Sequence, residues 1–173
     1  DDDSFARYEA MQELSVSHLV AAASGELNEA ARAAGKTAIS NAMRAILTDI
    51  ALDDNMRGEL MSLPSETYLF EAMASGDRKA DPGAIHAERE QLKAAMAVTL
   101  KRELESVYAR CDAVAFGDPA GVGARKVATQ VLALMAAGDP QVTATMAARQ
   151  FDMANNMTDR QGALMVLCGL DSS

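Results

Sequence analysis

The sequence has no tryptophan, and aromatic residues make up only 4% of its 173 residues. Its two cysteines, Cys111 and Cys168, lie far apart in the chain and do not indicate a disulfide framework. No apolar run reaches the roughly 18 to 20 residues of a membrane span. No cluster of basic residues stands out against a net charge of −9, which argues against nucleic acid and against an anionic membrane surface as partners. We therefore expect a reducing, cytoplasmic location.

The composition favours helices. Hydrophobic residues make up 49% of the chain, which includes 11 methionines and many alanines. This balance is typical of close-packed helices and not of a β-sandwich, which needs more aromatic and β-branched residues. The length fits one domain better than two. We predict a single all-α domain over residues 1–173, and because the chain starts without Met and enters a helical pattern at once, we expect it to be a fragment.

Local signals give the number of helices. Apolar residues at three- and four-residue spacing predict a helix after Thr37, and a seam from Ile85 to Val107 predicts one helix of about 25 residues. The first helix should end near Gly25, and Thr158 with Gln161 has the form of a capping box that would start the last helix. Other helix starts are predicted at Asp53 or Asp54, Ser65 and Asp81-Pro82, and Asp118-Pro119 and Asp139-Pro140 should each open or precede a helix.

Seven or eight helices with short connections predict helical hairpins stacked in a solenoid-like superhelix of the armadillo or HEAT type. A solenoid needs a polar cap at each end. If the chain stops partway through the stack, the apolar side of its last helix lacks a neighbour. We then expect an exposed apolar patch, or self-association that covers it, at Leu164, Val166, Leu167 and Leu170.

No catalytic, cofactor-binding or metal-binding residue is predicted. A helical zinc protease site requires His-Glu-x-x-His, but His18 has no partner histidine four residues on, and His86 lacks that spacing too. We interpret both as surface or helix-start histidines. Cys111 and Cys168 have no adjacent base in the sequence, so packing is their predicted role. Serine-hydrolase elbows, phosphate loops and dinucleotide fingerprints are also missing.

Four segments, in this order and at this spacing, carry a resemblance to a known family. They are Phe5-Ala6-Arg7-Tyr8-Glu9-Ala10, Leu63-Pro64-Ser65-Glu66, Asp81-Pro82-Gly83-Ala84-Ile85-His86-Ala87-Glu88-Arg89-Glu90 and Asn155-Asn156-Met157-Thr158-Asp159. With them, nearly the whole chain resembles bacterial-type aminopeptidase N, a family of zinc-dependent gluzincin peptidases. Tyr8 departs from the Trp expected there, and residues 123–128 match the family only loosely.

The resemblance implies the first half of a C-terminal helical domain, which curls over a catalytic domain and encloses the cavity that peptides enter. The family's His-Glu-x-x-His helix, its later Glu ligand and its Gly-Ala-Met-Glu-Asn loop belong to an earlier domain and do not occur here. Zinc and peptide substrate would then be bound by the full-length enzyme. The partners of this fragment would be the catalytic and remaining domains of the same chain. The fragment alone should be inactive. The alternative is a self-standing helical-repeat scaffold that binds another protein on its concave face.

Overall fold

The computed structural model describes residues 4–76, 78–115 and 117–171. Over these ranges all regular structure is helical and no residue lies in a β-strand, so the all-α prediction is confirmed. Helices in this part of the chain are α1 (Ser4–Ala23), α2 (Glu29–Thr48), α3 (Asp54–Leu60), α4 (Glu66–Ser75), α5 (Pro82–Thr99), α6 (Lys101–Asp112), α7 (Gly121–Ala136), α8 (Pro140–Met153) and α9 (Met157–Asp171).

Most of the helix ends follow the local signals. Side-chain oxygens of four predicted residues accept backbone N–H groups in the first turn of the helix that follows: Asp53, Ser65, Asp81 and Asp139. Gly25 follows the end of α1 with a φ of 72°, a left-handed conformation that glycine adopts without steric penalty. These ends were predictable because the cap and the amide it binds are close in sequence.

Two predicted starts are wrong. The second helix begins at Glu29, well before Thr37, because the Asn28 side chain accepts the N–H of Ala31 at 2.9 Å and caps it. The last helix begins at Met157, and the Asn156 side chain accepts the N–H of Asp159 at 2.9 Å. Thr158 therefore lies inside the first turn and does not cap it.

The predicted long helix is divided into α5 and α6 at Leu100, which has φ −111° and ψ 14°. Arg44 of α2 donates to the carbonyl oxygen of Thr99 at 3.1 Å and to the Glu103 carboxylate at 2.7 Å. A side chain that reaches into the backbone ladder is a known cause of helix bending. The continuous apolar seam gave no sign of this break, since Arg44 is more than fifty residues away.

Helices α5 and α7 occupy the centre. Helix α5 packs against α1, α2, α4, α6 and α7, and α7 packs against α3, α5, α6, α8 and α9. Neighbours along the chain also pack as pairs, as in α1 with α2, α6 with α7 and α8 with α9. Gly123 lets α7 approach α3 closely, because a Cβ at this position would lie 2.6 Å from the Asn55 backbone nitrogen.

The predicted apolar patch on the last helix is only partly present. Val166 is buried, and Leu167 and Leu170 pack partly against the core, so the prediction is wrong for these three residues. Leu164 is exposed, and so is its neighbour Met165. Val166, Leu167 and Leu170 are covered because α9 packs on both α7 and α8. As for membranes, no helix in the described ranges has the length and apolar character needed to cross one.

Candidate functional site

Two of the segments that resemble the aminopeptidase family meet where α4 begins. The Arg89 side chain of α5 donates from Nε to the carbonyl oxygen of buried Pro64 at 2.9 Å. Two residues after Pro64, Glu66 lies beside His86, with 2.9 Å between Glu66 Oε1 and His86 Nδ1. The arginine thus joins the turn between α3 and α4, which we call the Pro64 corner (residues 61–65), to the face of α5 that carries His86.

Glu90 completes a group that we call the Glu66 cluster: Glu66, His86 and Glu90. His86 and Glu90 are four residues apart on α5, which puts them on one helix face. One possible ligand atom from each of the three lies within 4.8 Å of the other two. The side chains of His86 and Glu66 are 62% and 46% exposed, so the cluster is open to solvent. The sequence contained the i, i+4 pair, but nothing in it indicated that Glu66 would join.

The sequence does not contain the motif that binds the catalytic zinc in the resembled family. A gluzincin centre requires two histidines of a His-Glu-x-x-His helix and a further carboxylate. His18 and His86 are the only histidines in the sequence and lie far apart in it. No catalytic step of such an enzyme is therefore assigned to residues of this chain, and the absence of catalytic and metal-binding residues stays a prediction.

An open groove of about 830 Å³ lies between α1 and the Pro64 corner, and we call it the α1 groove. Its walls include Tyr8 from the first resembling segment, Pro64 from the second, and Tyr68 of α4. Both tyrosines are solvent-exposed. Gln12 donates to the carbonyl oxygen of Ser62 at 2.7 Å, which ties α1 to the corner. Three of the four resembling segments thus border the Pro64 corner.

The fourth resembling segment, residues 155–159, lies elsewhere. Asn155 and Asp159 line a cavity of about 610 Å³ between α6 and α8. Gln150 donates to the carbonyl oxygen of Asp159 at 3.0 Å and accepts from the Tyr108 hydroxyl at 2.8 Å. Burial is the main factor that raises the pKa of Tyr108 to about 12. The segment therefore joins α6, α8 and the start of α9.

The two cysteines differ from each other. Cys111 is buried in the core, and burial raises the pKa of its thiol to about 11. It is therefore a thiol and not a nucleophilic thiolate at neutral pH, as expected for a packing role. Cys168 is exposed, so the prediction that it packs in the interior is wrong. Neither forms a disulfide.

His18 is buried, in contrast to the predicted surface position. It is 7% exposed, and its Nε2 has no hydrogen-bond partner. Burial, followed by the charges of Lys36 and Arg32, lowers the pKa of the imidazole. Gly35 makes room for the ring, since a Cβ at that position would lie 2.2 Å from His18 Nδ1. The histidine is a neutral core residue and not a ligand exposed to solvent.

Sequence reasoning missed a second polar group, the Arg57 cluster: Arg57, Asp54 and Arg110. Arg57 is buried, and its guanidinium donates to four backbone carbonyl oxygens at and after the end of α2, those of Ile46, Leu47, Asp49 and Leu52. The carbonyls of Ile46 and Leu47 lie in the last turn of α2, where backbone carbonyls have no partner within the helix. Asp54 accepts from Arg57 at 3.1 Å and from two nitrogens of Arg110 at 2.7 Å each. Hydrogen bonds from Arg110 first, and from Arg57, lower the pKa of Asp54.

Comparison with known proteins gives relatives over nearly the whole chain. Aminopeptidase N of Escherichia coli strain K12 is 28% identical over 166 residues, which cover 92% of this chain and 18% of that protein. Aminopeptidase N of Caulobacter vibrioides is 31% identical over 171 residues, which cover 95% of this chain and 18% of that protein. The chain therefore spans about 18% of the length of these curated relatives.

A solved structure shares the fold. The chain superposes on Legionella pneumophila aminopeptidase A, crystallised in complex with aspartic acid, with a TM-score of 0.80 and 23% identity, over 99% of this chain and 20% of that one. Residues 1–173 match the family described as a domain of unknown function (DUF3458_C) with ARM repeats, which confirms the predicted armadillo-like stack. The chain belongs to this DUF3458_C family and is homologous to the C-terminal region of aminopeptidase N.

Proposed function

We propose that this chain is a non-catalytic helical part of a zinc-dependent aminopeptidase that removes N-terminal residues from peptides. In this proposal the zinc and the catalytic groups lie in other domains of the same parent chain, and the α1 groove faces and gates the cavity that peptides enter. The two relatives named aminopeptidase N support this division, because the chain corresponds to about 18% of each and has no His-Glu-x-x-His sequence.

The α1 groove is the observation that supports the gating role. Three of the four resembling segments border the Pro64 corner on its floor, and exposed Tyr8 and Tyr68 line it. Exposed aromatic side chains are enriched where proteins bind partners. Glu9 and Glu13 line the same groove and are exposed, and a groove with one sign of charge attracts ligands of the opposite sign. The ammonium group of a peptide N-terminus is such a ligand.

Two further parts of the proposal concern location and contacts. A cytoplasmic location agrees with two cysteines that form no disulfide. Exposed Leu164 and Met165 on α9 offer a surface for the next part of the parent chain or for self-association. Both statements depend on the parent protein being the proposed aminopeptidase.

The experiment uses the full-length parent chain with Tyr8→Ala or Tyr68→Ala. Substrates are a small amino-acid arylamide and a peptide of about ten residues. Gating predicts that kcat/KM for the peptide changes by roughly fivefold or more, which corresponds to about 1 kcal/mol, while the arylamide is affected less. Phe70→Ala is the control, since Phe70 is also exposed on α4 but does not line the groove.

Equal changes for both substrates, or the same change in the Phe70→Ala control, would contradict gating. The 173-residue chain assayed alone with zinc should show no turnover, and saturable activity removed by a chelator would contradict its non-catalytic role. The scaffold alternative is distinguished by the reading frame. A His-Glu-x-x-His sequence upstream of Asp1 supports the aminopeptidase, and a start codon near Asp1 supports the scaffold.

A further inference from the structure

We propose that the Glu66 cluster is a surface binding site for one divalent cation of the zinc class. The site is separate from the catalytic zinc of the proposed parent enzyme and does not depend on that proposal. It uses one imidazole and two carboxylates, from two helices that the fold holds together.

The geometry suits a single ion. Zinc binds imidazole nitrogen and carboxylate oxygen at about 2.0–2.2 Å, so two ligand atoms of one tetrahedral ion lie about 3.3 Å apart. Glu66 Oε1 and His86 Nδ1 are 2.9 Å apart, and all three ligand atoms lie within 4.8 Å of one another. Small rotations of the side chains bring them to the zinc-bound spacing. His86 and Glu66 are free to make them because they are exposed.

The ligand types point to the zinc class. Calcium and magnesium prefer sites made entirely of oxygen, usually with six or more ligands. Imidazole suits zinc, copper, nickel and iron. Three protein ligands leave room for water to complete the coordination, and the two carboxylates balance the charge of a divalent ion.

The two helices are fixed before any ion binds. Ser65 caps α4 through the N–H of Tyr68 at 3.1 Å, and Arg89 holds the Pro64 carbonyl oxygen against α5 at 2.9 Å. On the inner sides of α4 and α5, Leu69 and Leu92 are buried in the core. Only the side chains must adjust on binding, which limits the entropic cost.

Two cations near the cluster oppose a bound metal. Lys93 Nζ lies 2.6 Å from Glu90 Oε1, and an Arg89 guanidinium nitrogen lies 3.8 Å from the same oxygen. A carboxylate has two oxygens, so in this proposal Glu90 binds the ion through one of them and keeps Lys93 on the other, while Arg89 keeps its bond to the Pro64 corner. The repulsion lowers the affinity and makes Lys93 a useful probe, because Lys93→Gln should strengthen zinc binding.

The test is a titration of the metal-free 173-residue chain with zinc alone, and isothermal titration calorimetry measures the binding. Cys168→Ser serves as the background, because an exposed thiol also binds zinc. Glu66→Gln, His86→Gln and Glu90→Gln each remove one ligand while keeping the size of the side chain similar. Glu71→Gln is the matched control, since it removes an exposed carboxylate of α4 outside the cluster.

We expect one zinc per chain, with affinity at least about tenfold weaker in each of the three ligand variants, since even outer partners of metal sites contribute this much. Glu71→Gln should bind as the background does. X-ray absorption of the complex should show one imidazole among nitrogen and oxygen ligands. Absence of saturable binding overturns the proposal, and so does binding that the His86→Gln and Glu66→Gln variants retain. Far-UV circular dichroism confirms that each variant is folded.

Discussion

The Arg57 cluster and the Glu66 cluster are built from similar parts and differ in burial. Each joins two helices through side-chain hydrogen bonds: Arg110 of α6 donates to Asp54 of α3 at 2.7 Å in the first cluster, and His86 of α5 lies 2.9 Å from Glu66 of α4 in the second. The Arg57 side chain is 6% exposed, whereas that of Glu66 is 46% exposed. The first cluster lies between the end of α2 and α6, and the second lies on the surface between α4 and α5.

The difference shows what burial requires of a polar group. The Arg57 guanidinium is surrounded by backbone carbonyl oxygens and Asp54, and a buried charge is tolerated only with this kind of saturation. The Arg57 guanidinium therefore has no hydrogen-bond donor left to bind a ligand. The Glu66 cluster is solvated, contributes little to stability, and keeps lone pairs that an ion can bind. We infer that the buried cluster serves the architecture and the exposed one serves binding.

The largest expected effect tests the buried half of this comparison. Arg57→Leu removes the donor to the carbonyl oxygens at and after the end of α2 and leaves Asp54 with one cation fewer, so we expect a loss of about 3–5 kcal/mol in the free energy of unfolding. Urea denaturation followed by circular dichroism measures it. Glu66→Gln is the matched control and should cost less than about 1 kcal/mol. Similar losses in both variants would break the comparison.

A smaller effect is expected where α7 supports α3. Gly123→Ala places a Cβ within 2.6 Å of the Asn55 backbone nitrogen, and because backbone cannot move aside cheaply we expect a loss of about 1–3 kcal/mol. Gly169→Ala is the control, since a Cβ there meets nothing within 4 Å, and it should stabilise α9 by about 0.5–1 kcal/mol. Thermal unfolding of both chains checks the opposite signs. Stabilisation by Gly123→Ala would contradict the close approach of α7 to α3 at this position.

The smallest effect concerns His18, a buried polar group without the saturation that Arg57 has. Its folded pKa lies below the ordinary value of 6.5, so on acidification the unfolded chain takes up the proton first. The contribution of His18 to the free energy of unfolding is fully present above pH 6.5 and is lost as the pH falls towards the folded pKa. His18→Leu should flatten this part of the stability profile, measured by urea denaturation between pH 7 and pH 5. An unchanged slope would mean that His18 titrates normally.

The helix caps show why much of the fold could be predicted. Asp53, Ser65, Asp81 and Asp139 act on amides two or three residues away, so sequence alone contains both partners. The predicted start of α2 was wrong because the Ala-rich stretch before Thr37 has no apolar periodicity. Asn28 is a residue type that often caps helices and was the available signal. The candidate site could be predicted from the sequence only in part. The i, i+4 spacing of His86 and Glu90 was visible, but Glu66 lies on another helix.

The sequence by itself determined the helical class, most of the helix ends, the lack of a gluzincin zinc motif and the resemblance to aminopeptidase N, because these depend on neighbouring residues or on segment order. Tertiary structure alone decided the break at Leu100, the burial of His18 and Arg57, and the meeting of Glu66 with His86. Each of these depends on atoms from segments distant in the chain, and their encounter is set by how α2, α4, α5 and α7 pack.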